Sequence, residues 1–236
     1  MSETAALSQR LVAEATGTAL LVAVVVGSGI FAERLSSDAG VQLLANSTAT
    51  AGGLVALILA FGAVSGAHFN PVVSLADRLA GNLTTRELGA YSAAQVTGAL
   101  AGAVVANLMF ELGPATFSTH ERSSGGLWLG EVVATFGLLL VILGVVRSGK
   151  AALAPYAVAG YIAAAYWFTS STSFANPAVT IGRTITDTFA GIAPSSAPAF
   201  IAAQLVGAGL AIALARYLHP HSPPVEVAPL DHADAA

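Results

Sequence analysis

The sequence predicts an all-α membrane protein with six transmembrane helices, two re-entrant half-helices and an inverted repeat of three plus three spans. Its 236 residues are 55% hydrophobic and only 9% charged, with a mean hydropathy of +0.74, whereas a soluble domain has about 25% charged residues. Six apolar stretches each approach the roughly 20 residues that a helix needs to cross the hydrocarbon. Two Asn-Pro pairs occupy corresponding places in the two halves of the chain.

The six apolar stretches cover approximately residues 11–32, 41–64, 88–110, 127–147, 151–169 and 198–218. The 24 glycines and the many alanines suit such spans, because small side chains let membrane helices pack closely. A transmembrane barrel would instead show alternating segments of about 10 residues. Because the chain has no cysteine, it has no disulfide, thiol nucleophile or thiolate metal site. The first stretch is too long, and its start too polar, for a cleaved signal peptide.

Matched landmarks predict the inverted repeat. A Glu-x-x-x-Thr motif begins at Glu14 in the first stretch and at Glu131 in the fourth. An Ala-Ala-Gln motif ends at Gln95 in the third stretch and at Gln204 in the sixth, and a glycine follows three residues after each. An odd number of spans in each half makes the halves enter the membrane from opposite sides. Transport proteins built in this way place their sites at the repeat interface, near the bilayer midplane.

Each Asn-Pro pair predicts the start of a short helix, because Asn is a good N-cap and Pro is favoured at the first helical position. The segments that follow, about 70–80 and 176–188, are too short to span the membrane. We therefore expect two half-helices that enter from opposite faces and meet at mid-membrane, where non-helical backbone is tolerated beside a wet cavity. Their facing N-termini disfavour cations, while the amides of Asn70 and Asn176 can donate to the oxygen of a neutral solute. This pattern predicts a pore for neutral solutes.

The basic residues predict that both termini are cytoplasmic. In that topology six of the nine lie inside and three outside, as the positive-inside rule requires: Arg10, Arg78, Arg86, Arg147, Lys150 and Arg216 inside, and Arg34, Arg122 and Arg183 outside. The predicted organisation is an N-terminal cytoplasmic segment (1–10), a channel domain (11–218, with repeats at about 11–110 and 127–218) and a disordered cytoplasmic tail (219–236). The Pro, Ala and acidic residues of that tail are typical of disorder.

These motifs resemble those of the aquaporin family, the major intrinsic proteins, and in particular a bacterial subgroup that lacks the family's filter arginine. The resemblance covers about residues 10–218 and rests on the helix that contains Glu14, on "SGAHFNPV" (65–72) and on "NPA" (176–178). It implies a right-handed bundle and a homotetramer with one pore per subunit in the bacterial inner membrane, without cofactor, metal or nucleic acid. The pore centre would consist of the two Asn-Pro motifs, Asn70, Pro71, Val72, Asn176, Pro177 and Ala178.

The resemblance also implies roles for the loops before the half-helices. Glu14 and Glu131 would support these loops by accepting hydrogen bonds from their backbone. A proton relay is the alternative, because an acidic side chain inside a span is a functional candidate by default. His68 is interpreted as shaping its loop, with direct solute contact as the alternative. The backbone carbonyls that line the pore would belong to Gly66, Ala67, His68, Thr172, Ser173 and Phe174.

The outer filter departs from the family's pattern. The family usually has an arginine directly after the second Asn-Pro-Ala, where this chain has Val179. Counted without gaps from the two Asn residues, the other filter positions are Thr50, Ala164 and Ser173. These four side chains are small and none is cationic. We therefore expect a wide constriction that admits solutes larger than water.

Arg183 lies one helical turn beyond Val179 and is assigned to the outer vestibule. Asp187 is four residues further on and is expected to be its i,i+4 partner. Two roles remain open for this arginine. It either pins the half-helix through a salt bridge, or it attracts and orients the solute.

The leading hypothesis is a passive channel for water and small neutral solutes, such as glycerol-like polyols or neutral metalloid (arsenic) species. Some proteins of the bacterial subgroup are linked with arsenic resistance. The alternatives are a strict water channel, a proton-coupled transporter that uses Glu14 or Glu131, and a structural junction protein with a vestigial pore. An enzyme is not predicted, because the chain has no nucleophile–base pair, metal cluster or phosphate loop.

Overall fold

A computed structural model describes residues 5–219 and shows a bundle of helices without any strand in that range. The α-helices in chain order are α1 (Leu7–Leu35), α2 (Ala39–Ser65), α3 (Pro71–Ala80), α4 (Thr85–Met109), α5 (Gly125–Arg147), α6 (Ala154–Phe168), α7 (Pro177–Gly182) and α8 (Ala197–Leu218). Short 3₁₀ turns precede α6 (Ala151–Leu153) and follow α7 (Arg183–Ile185). The predicted all-α class, with six long helices and two short ones, is confirmed.

Six helices in the described range are long and apolar enough to cross a membrane, namely α1, α2, α4, α5, α6 with its preceding turn, and α8. Because the number of spans is even, α1 begins and α8 ends on the same side, which we call the terminal face. The other side is the opposite face. Helix α1 already begins at Leu7, inside the segment assigned to the N-terminus. The predicted tail lies outside the described residues, apart from position 219.

The two half-helices begin as the Asn-Pro pairs predict. Asn70 caps α3 by accepting from the backbone N–H of Val72 at 3.1 Å, and Asn176 caps α7 by accepting from Ala178 at 3.0 Å and from Val179 at 3.2 Å. In both helices the proline follows as the first residue. The caps satisfy backbone donors that a helix start leaves without intrahelical partners.

The second half-helix is shorter than predicted. We expected it to run to residue 188, but α7 ends at Gly182 and the 3₁₀ turn that follows ends at Ile185. The physical reason is the run of threonines beyond Arg183. The hydroxyl of Thr184 donates to the carbonyl of Ile181, and that of Thr186 donates to Asn107 Oδ1 at 2.8 Å. Such side-chain bonds compete with continuation of the helix.

Glycines allow the equivalent helix pairs of the two repeats to approach closely. Helix α1 packs on α4 and helix α5 packs on α8. A Cβ atom on Gly98 of α4 would lie 2.2 Å from the carbonyl oxygen of Ala15, and one on Gly207 of α8 would lie 2.4 Å from that of Val132. No side chain fits at such distances, so glycine at these two matched positions permits backbone-to-backbone contact.

Candidate functional site

The two Asn side chains join the two pore loops, 66–70 and 172–176, to each other. Asn70 donates from Nδ2 to the carbonyl of Ala175, and Asn176 donates from Nδ2 to the carbonyl of Phe69, both at 2.8 Å. Each Oδ1 caps the half-helix that begins beside it. An amide nitrogen carries two N–H groups. Each Asn therefore keeps one donor beyond those that hold the loops together.

The pore loops have a strained backbone. Several non-glycine residues have positive φ angles near 50–60°, a region that costs an L-residue roughly 1–2 kcal/mol. They are Ala67 (49°), Phe69 (48°), Thr172 (61°), Ser173 (53°) and Ala175 (48°). Two of the strained positions in the first loop recur 106 residues later in the second loop. Strain of this kind persists only where the surroundings hold the backbone in place.

Glu14 holds the first loop. Its fully buried carboxylate accepts from the backbone N–H groups of His68 at 2.9 Å and Phe69 at 2.7 Å. It also accepts from the hydroxyl of Ser65 at 2.6 Å and from Gln95 Nε2 at 2.8 Å. Four donors therefore surround this charge, and each restrains the loop or the helix beside it.

Glu131 holds the second loop with the same geometry. It is also fully buried, and it accepts from the backbone N–H groups of Phe174 at 2.9 Å and Ala175 at 2.8 Å. Gln204 Nε2 donates to it at 2.6 Å. A hydroxyl equivalent to that of Ser65 is missing from this set of donors, so three groups bind Glu131 and four bind Glu14.

One cavity of about 160 Å³ runs along both loops and is bordered by residues of both repeats. The first loop borders it from Gly66 to Asn70, and the second from Ser173 to Asn176. Thr172, whose carbonyl was also predicted to line the pore, does not border this cavity. Most of the remaining wall is apolar, with residues such as Val25, Leu54, Leu138, Ile142 and Ile162. The volume is sufficient for several waters or one small solute.

The structure brings together three of the four predicted filter residues and excludes the fourth. Thr50, Ser173 and Val179 border the cavity, whereas Ala164 is exposed and does not. The prediction of Ala164 is wrong, because it lies on the face of α6 that points away from the cavity. Tyr166, two residues later, is buried in the cavity wall, and its hydroxyl lies 3.1 Å from that of Thr50.

Arg183 is buried in the cavity wall, with only 3% of its surface exposed. Its guanidinium carbon lies 3.4 Å from the centroid of the Phe174 ring, and its Nε donates to the carbonyl of Ala190. Arg183, which the sequence assigns to the outer vestibule, therefore adds a cationic side chain to the cavity wall. The helix turns into a 3₁₀ turn at Arg183 itself, which changes the direction of this side chain from that of a continuing α-helix.

The expected pair of Arg183 with Asp187 is also wrong. Asp187 instead accepts from the backbone N–H of Thr119 at 2.8 Å and lies 3.9 Å from His120 Nε2. The bond from the Thr119 backbone, aided by the Thr119 hydroxyl and by His120, lowers the pKa of Asp187 from its ordinary value. Because the helix ends before residue 187, the i,i+4 geometry that the pair needs is lost.

Equivalent positions of the two half-helices carry opposite charges. Asp77 stands seven residues after Asn70, and Arg183 stands seven residues after Asn176. Each lies near the ring that occupies the equivalent place in its own loop. His68 Nε2 is 3.7 Å from Asp77 Oδ2, while the ring of Phe174 faces Arg183. All four side chains border the cavity, so its two ends differ in charge.

Sequence reasoning missed Tyr166 and Asp77 as cavity residues. Helix α6 is apolar on every side, so its periodicity gives no indication of which face meets the pore. For Asp77 a signal existed in the sequence. Counting the same number of residues forward from Asn70 and from Asn176 pairs Asp77 with Arg183. The same count pairs Ser74 with Thr180. The hydroxyl of Ser74 accepts from Gln95, and that of Thr180 accepts from Gln204.

Two inverted repeats whose Asn-Pro loops meet beside one continuous cavity define a membrane channel. The family model described as "Major intrinsic protein" matches residues 1–171. The chain belongs to the major intrinsic protein family.

Individual relatives agree with this assignment. The chain is 52% identical over 212 residues to "Aquaglyceroporin AqpS" of Rhizobium meliloti (strain 1021), a match that covers 90% of this chain and 91% of that protein. It is 35% identical over 164 residues to "Aquaporin Z" of Brucella melitensis biotype 1, covering 63% of this chain and 71% of that protein. The X-ray structure of the aquaglyceroporin from Plasmodium falciparum superimposes with a TM-score of 0.68 at 20% identity, covering 92% of this chain and 96% of that one, and supports the fold.

Proposed function

We propose that this channel passes water and small neutral solutes up to the size of glycerol-like polyols or neutral metalloid (arsenic) species. The observation that carries the proposal is Val179, which borders the cavity directly after the second Asn-Pro-Ala. A relative that is 52% identical bears the name aquaglyceroporin. Valine supplies neither the bulk nor the charge of an arginine at that position, which favours solutes larger than water.

The solute path of this proposal has its centre at Asn70 and Asn176, whose remaining N–H donors would orient a solute oxygen. Thr50, Tyr166 and Ser173 would form the filter together with Val179. Glu14 and Glu131 would serve only to hold the loops. Their carboxylate oxygens are occupied by hydrogen-bond donors, and this occupancy favours a structural role over a proton relay.

We further propose that residues 11–218 form one channel domain, that the terminal face is cytoplasmic in a bacterial plasma membrane, and that four copies associate with one pore in each. The excess of basic residues at the terminal face supports the orientation. Because the chain has no cysteine, a single cysteine introduced in place of His120 would report the side by its labelling from outside intact cells. If that thiol is not labelled from outside, the proposed orientation is wrong and the opposite one holds.

The proposal is tested by light scattering on proteoliposomes that contain the wild-type chain, Val179→Arg or Val179→Leu. The wild type is expected to pass both water and glycerol. Val179→Arg should lower the ratio of glycerol to water permeability by about tenfold, because a size difference of one methylene in a pocket is worth roughly 1–3 kcal/mol. Val179→Leu adds bulk without charge and should lower the ratio less.

Two results would contradict the proposal. A wild type that passes water at a high rate and excludes glycerol would be a strict water channel. An unchanged ratio of glycerol to water permeability in Val179→Arg would show that Val179 is not part of the filter. The permeability to arsenous acid, measured in the same assay, decides whether the channel also passes neutral metalloid species.

A further inference from the structure

A histidine and a carboxylate lie side by side at the end of the cavity nearer the terminal face. His68 Nε2 is 3.7 Å from Asp77 Oδ2, and both side chains border the cavity although each is mostly buried. We call these two residues the cavity pair. Asp77 precedes Leu79 by two residues, and the carbonyl of Leu79 accepts from Arg216 near the end of α8. An ion that enters from the terminal face therefore meets the cavity pair before it meets the pore centre.

The ring of His68 is fixed through one nitrogen only. Nδ1 lies 3.0 Å from Ser74 Oγ, which also accepts from Gln95 Nε2 at 2.9 Å. Since a hydroxyl oxygen has two lone pairs, it can accept from both nitrogens. Nε2 has no hydrogen-bond partner within residues 5–219. A histidine that binds a metal through one nitrogen usually donates its other N–H to an oxygen in the position of Ser74 Oγ.

The carboxylate of Asp77 is fixed in a similar way. Oδ1 accepts from Asn82 Nδ2 at 2.8 Å, while Oδ2 faces His68 and accepts no hydrogen bond in the described part of the chain. Imidazole nitrogen and carboxylate oxygen are both zinc ligands, with bond lengths of about 2.0–2.2 Å, so two of them on a tetrahedral ion stand about 3.4 Å apart. The observed 3.7 Å exceeds that separation by about 0.3 Å, which a small rotation of either side chain removes.

The cavity pair supplies two ligands and leaves the other positions of the ion open. No group of three or more His, Cys, Asp or Glu residues that could hold a metal is present among residues 5–219. The remaining positions of a tetrahedral ion would be taken by water from the cavity, as the open position is in catalytic zinc sites. A site of this kind suits an ion that binds reversibly from solution, and it does not suit a resident cofactor.

The direction of α3 favours a cation at this end of the cavity and disfavours it further in. The C-terminal end of a helix carries a partial negative charge, and the N-terminal end carries a partial positive charge. Helix α3 ends at Ala80, close to Asp77, and it begins at Pro71 in the pore centre, where α7 also begins. A divalent ion at Asp77 is therefore attracted at its site and repelled by both helix starts beyond it. Such an ion obstructs the cavity and does not pass through it.

The second repeat has no equivalent of the cavity pair. Phe174 and Arg183 occupy the two corresponding positions, and neither side chain is a metal ligand. Within the described residues one other histidine lies near a carboxylate, with His120 Nε2 3.9 Å from Asp187 Oδ1. Neither of these two residues borders the cavity, and both are partly exposed. This exposed pair is a matched comparison for the cavity pair.

We propose that the cavity pair is a binding site for a divalent transition-metal ion such as Zn²⁺, and that the bound ion closes the channel at its terminal-face end. His68 Nε2 and Asp77 Oδ2 are the two ligands, and Ser74 is a positioning residue that holds the ring through Nδ1. Mg²⁺ is not expected to bind, because it takes oxygen ligands in octahedral geometry. Binding of the metal goes beyond the proposed function and is independent of it, whereas the effect on flux rests on it.

The experiment measures water permeability by light scattering on proteoliposomes that contain the chain without an affinity tag. Zn²⁺ is present at equal concentration on both sides of the membrane, so the orientation of the inserted protein does not matter. Each rate is divided by the metal-free rate of the same protein, and Mg²⁺ is the control ion. We expect Zn²⁺ to inhibit the wild type and Mg²⁺ to leave it unchanged. Calorimetry on the detergent-solubilised protein measures zinc binding directly.

Four variants test the assignment of the ligands. Asp77→Asn should raise the zinc concentration for half-inhibition by about tenfold or more, because loss of even an outer-shell partner costs a metal site roughly 10–100-fold in affinity. Asp77→His supplies a new ligand without the charge and should retain inhibition. His68→Phe introduces the residue type of the second repeat and should abolish inhibition. His120→Ala removes the exposed pair and should leave inhibition unchanged.

The outcomes separate the metal site from the channel function. If the wild type passes water, but Zn²⁺ inhibits it no more than Mg²⁺ or inhibits Asp77→Asn equally, the inference fails and the channel function stands. If inhibition is lost in His120→Ala, it belongs to the exposed pair and the inference fails. Should Asp77→Asn have no water flux, the comparison of Asp77→His with His68→Phe decides in its place.

A wild type without water flux would contradict the channel function and leave the metal site to calorimetry. Asp77→Asn retains all five histidines of the chain, so a difference in zinc binding from the wild type belongs to Asp77. Weaker binding in Asp77→Asn would support the site. Equal binding would overturn it.

Discussion

The two repeats build nearly the same loop support but end in different pore surfaces. Glu14 and Glu131 each hold the backbone of two consecutive loop residues, and Gln95 and Gln204 each bind the glutamate of their own repeat. Beyond the loops the similarity stops. Helix α3 runs for 10 residues and places Asp77 at one end of the cavity, whereas α7 stops after 6 residues and turns Arg183 into the other end.

This difference shows which parts of a duplicated architecture are free to diverge. The supporting network satisfies buried charges and strained backbone, so a change there leaves polar groups without partners. Residues seven positions beyond each Asn border the cavity and form no hydrogen bond with Glu14 or Glu131, although they contact the rings of His68 and Phe174. These two positions carry opposite charges, whereas the glutamate and glutamine of the supporting network are the same in both repeats.

The largest effect is expected from removal of one loop support. Glu14→Gln and Glu131→Gln each replace an accepting oxygen by an amide nitrogen that faces backbone donors. Each should lower the free energy of unfolding by about 3 kcal/mol or more, because every buried donor left without an acceptor costs roughly 1–3 kcal/mol. Glu14 binds one donor more, so its substitution should cost about 1 kcal/mol more than that of Glu131.

Thermal unfolding of the detergent-solubilised protein, with water permeability beside it, measures both changes. Glu33→Gln is the control, since Glu33 is exposed and accepts from a single backbone N–H. Equal losses for Glu14 and Glu131 would mean that the extra hydroxyl bond of Ser65 contributes nothing. Losses no larger than that of the control would show that the loops are held by other contacts.

An intermediate effect is expected at the matched glycines of the two helix pairs. Gly98→Ala and Gly207→Ala place a Cβ within 2.4 Å of a backbone oxygen, and each should destabilise by about 1–3 kcal/mol because the helices must separate. Gly209→Ala is the control in α8, where an added Cβ meets nothing within 4 Å. The same thermal unfolding assay compares the three. A Gly98→Ala protein as stable as Gly209→Ala would contradict close packing of α1 on α4.

The smallest effect concerns Asp187, which has no counterpart in the first repeat. Its lowered pKa means that the stabilisation it gives to segment 118–120 is complete above the ordinary value of 3.8 and is lost only as the pH falls through the lowered value. Hydrogen exchange at Thr119, corrected for its intrinsic pH dependence, should therefore be constant from about pH 7 to pH 5. Asp187→Asn should raise that exchange by about threefold or less, since an exposed ionic contact contributes little. A protection that declines steadily between pH 7 and pH 5 would contradict this assignment.

The fold could be predicted because its signals are local and repeated. Composition indicates the membrane, and the Asn-Pro pairs mark helix starts through capping chemistry that depends on adjacent residues only. The six spans and the start of both half-helices follow from these signals. The end of the second half-helix could not be predicted in the same way, because it depends on Thr186 finding Asn107, 79 residues away.

The directions of the side chains at the filter were harder to predict from the sequence. Counting without gaps through the loop between α6 and α7 selected Ala164, but the loop geometry brings Tyr166 to Thr50 instead. The pairing of Arg183 with Asp187 was predicted wrongly because a continuous α-helix was assumed through a residue where the helix becomes a 3₁₀ turn. Both errors arise from the same cause. A uniformly apolar or threonine-rich segment contains no periodic signal from which a rotation about the helix axis can be read.

The reciprocal bonds of Asn70 and Asn176 have a consequence for how the protein is made. Asn70 donates to a carbonyl 105 residues further along the chain, and Asn176 donates to one 107 residues before it. During synthesis both of these bonds of the first loop therefore remain unmade until three further spans and the second loop have entered the membrane. Neither repeat completes its own pore surface, so the pore is formed only after the second repeat has been inserted into the membrane.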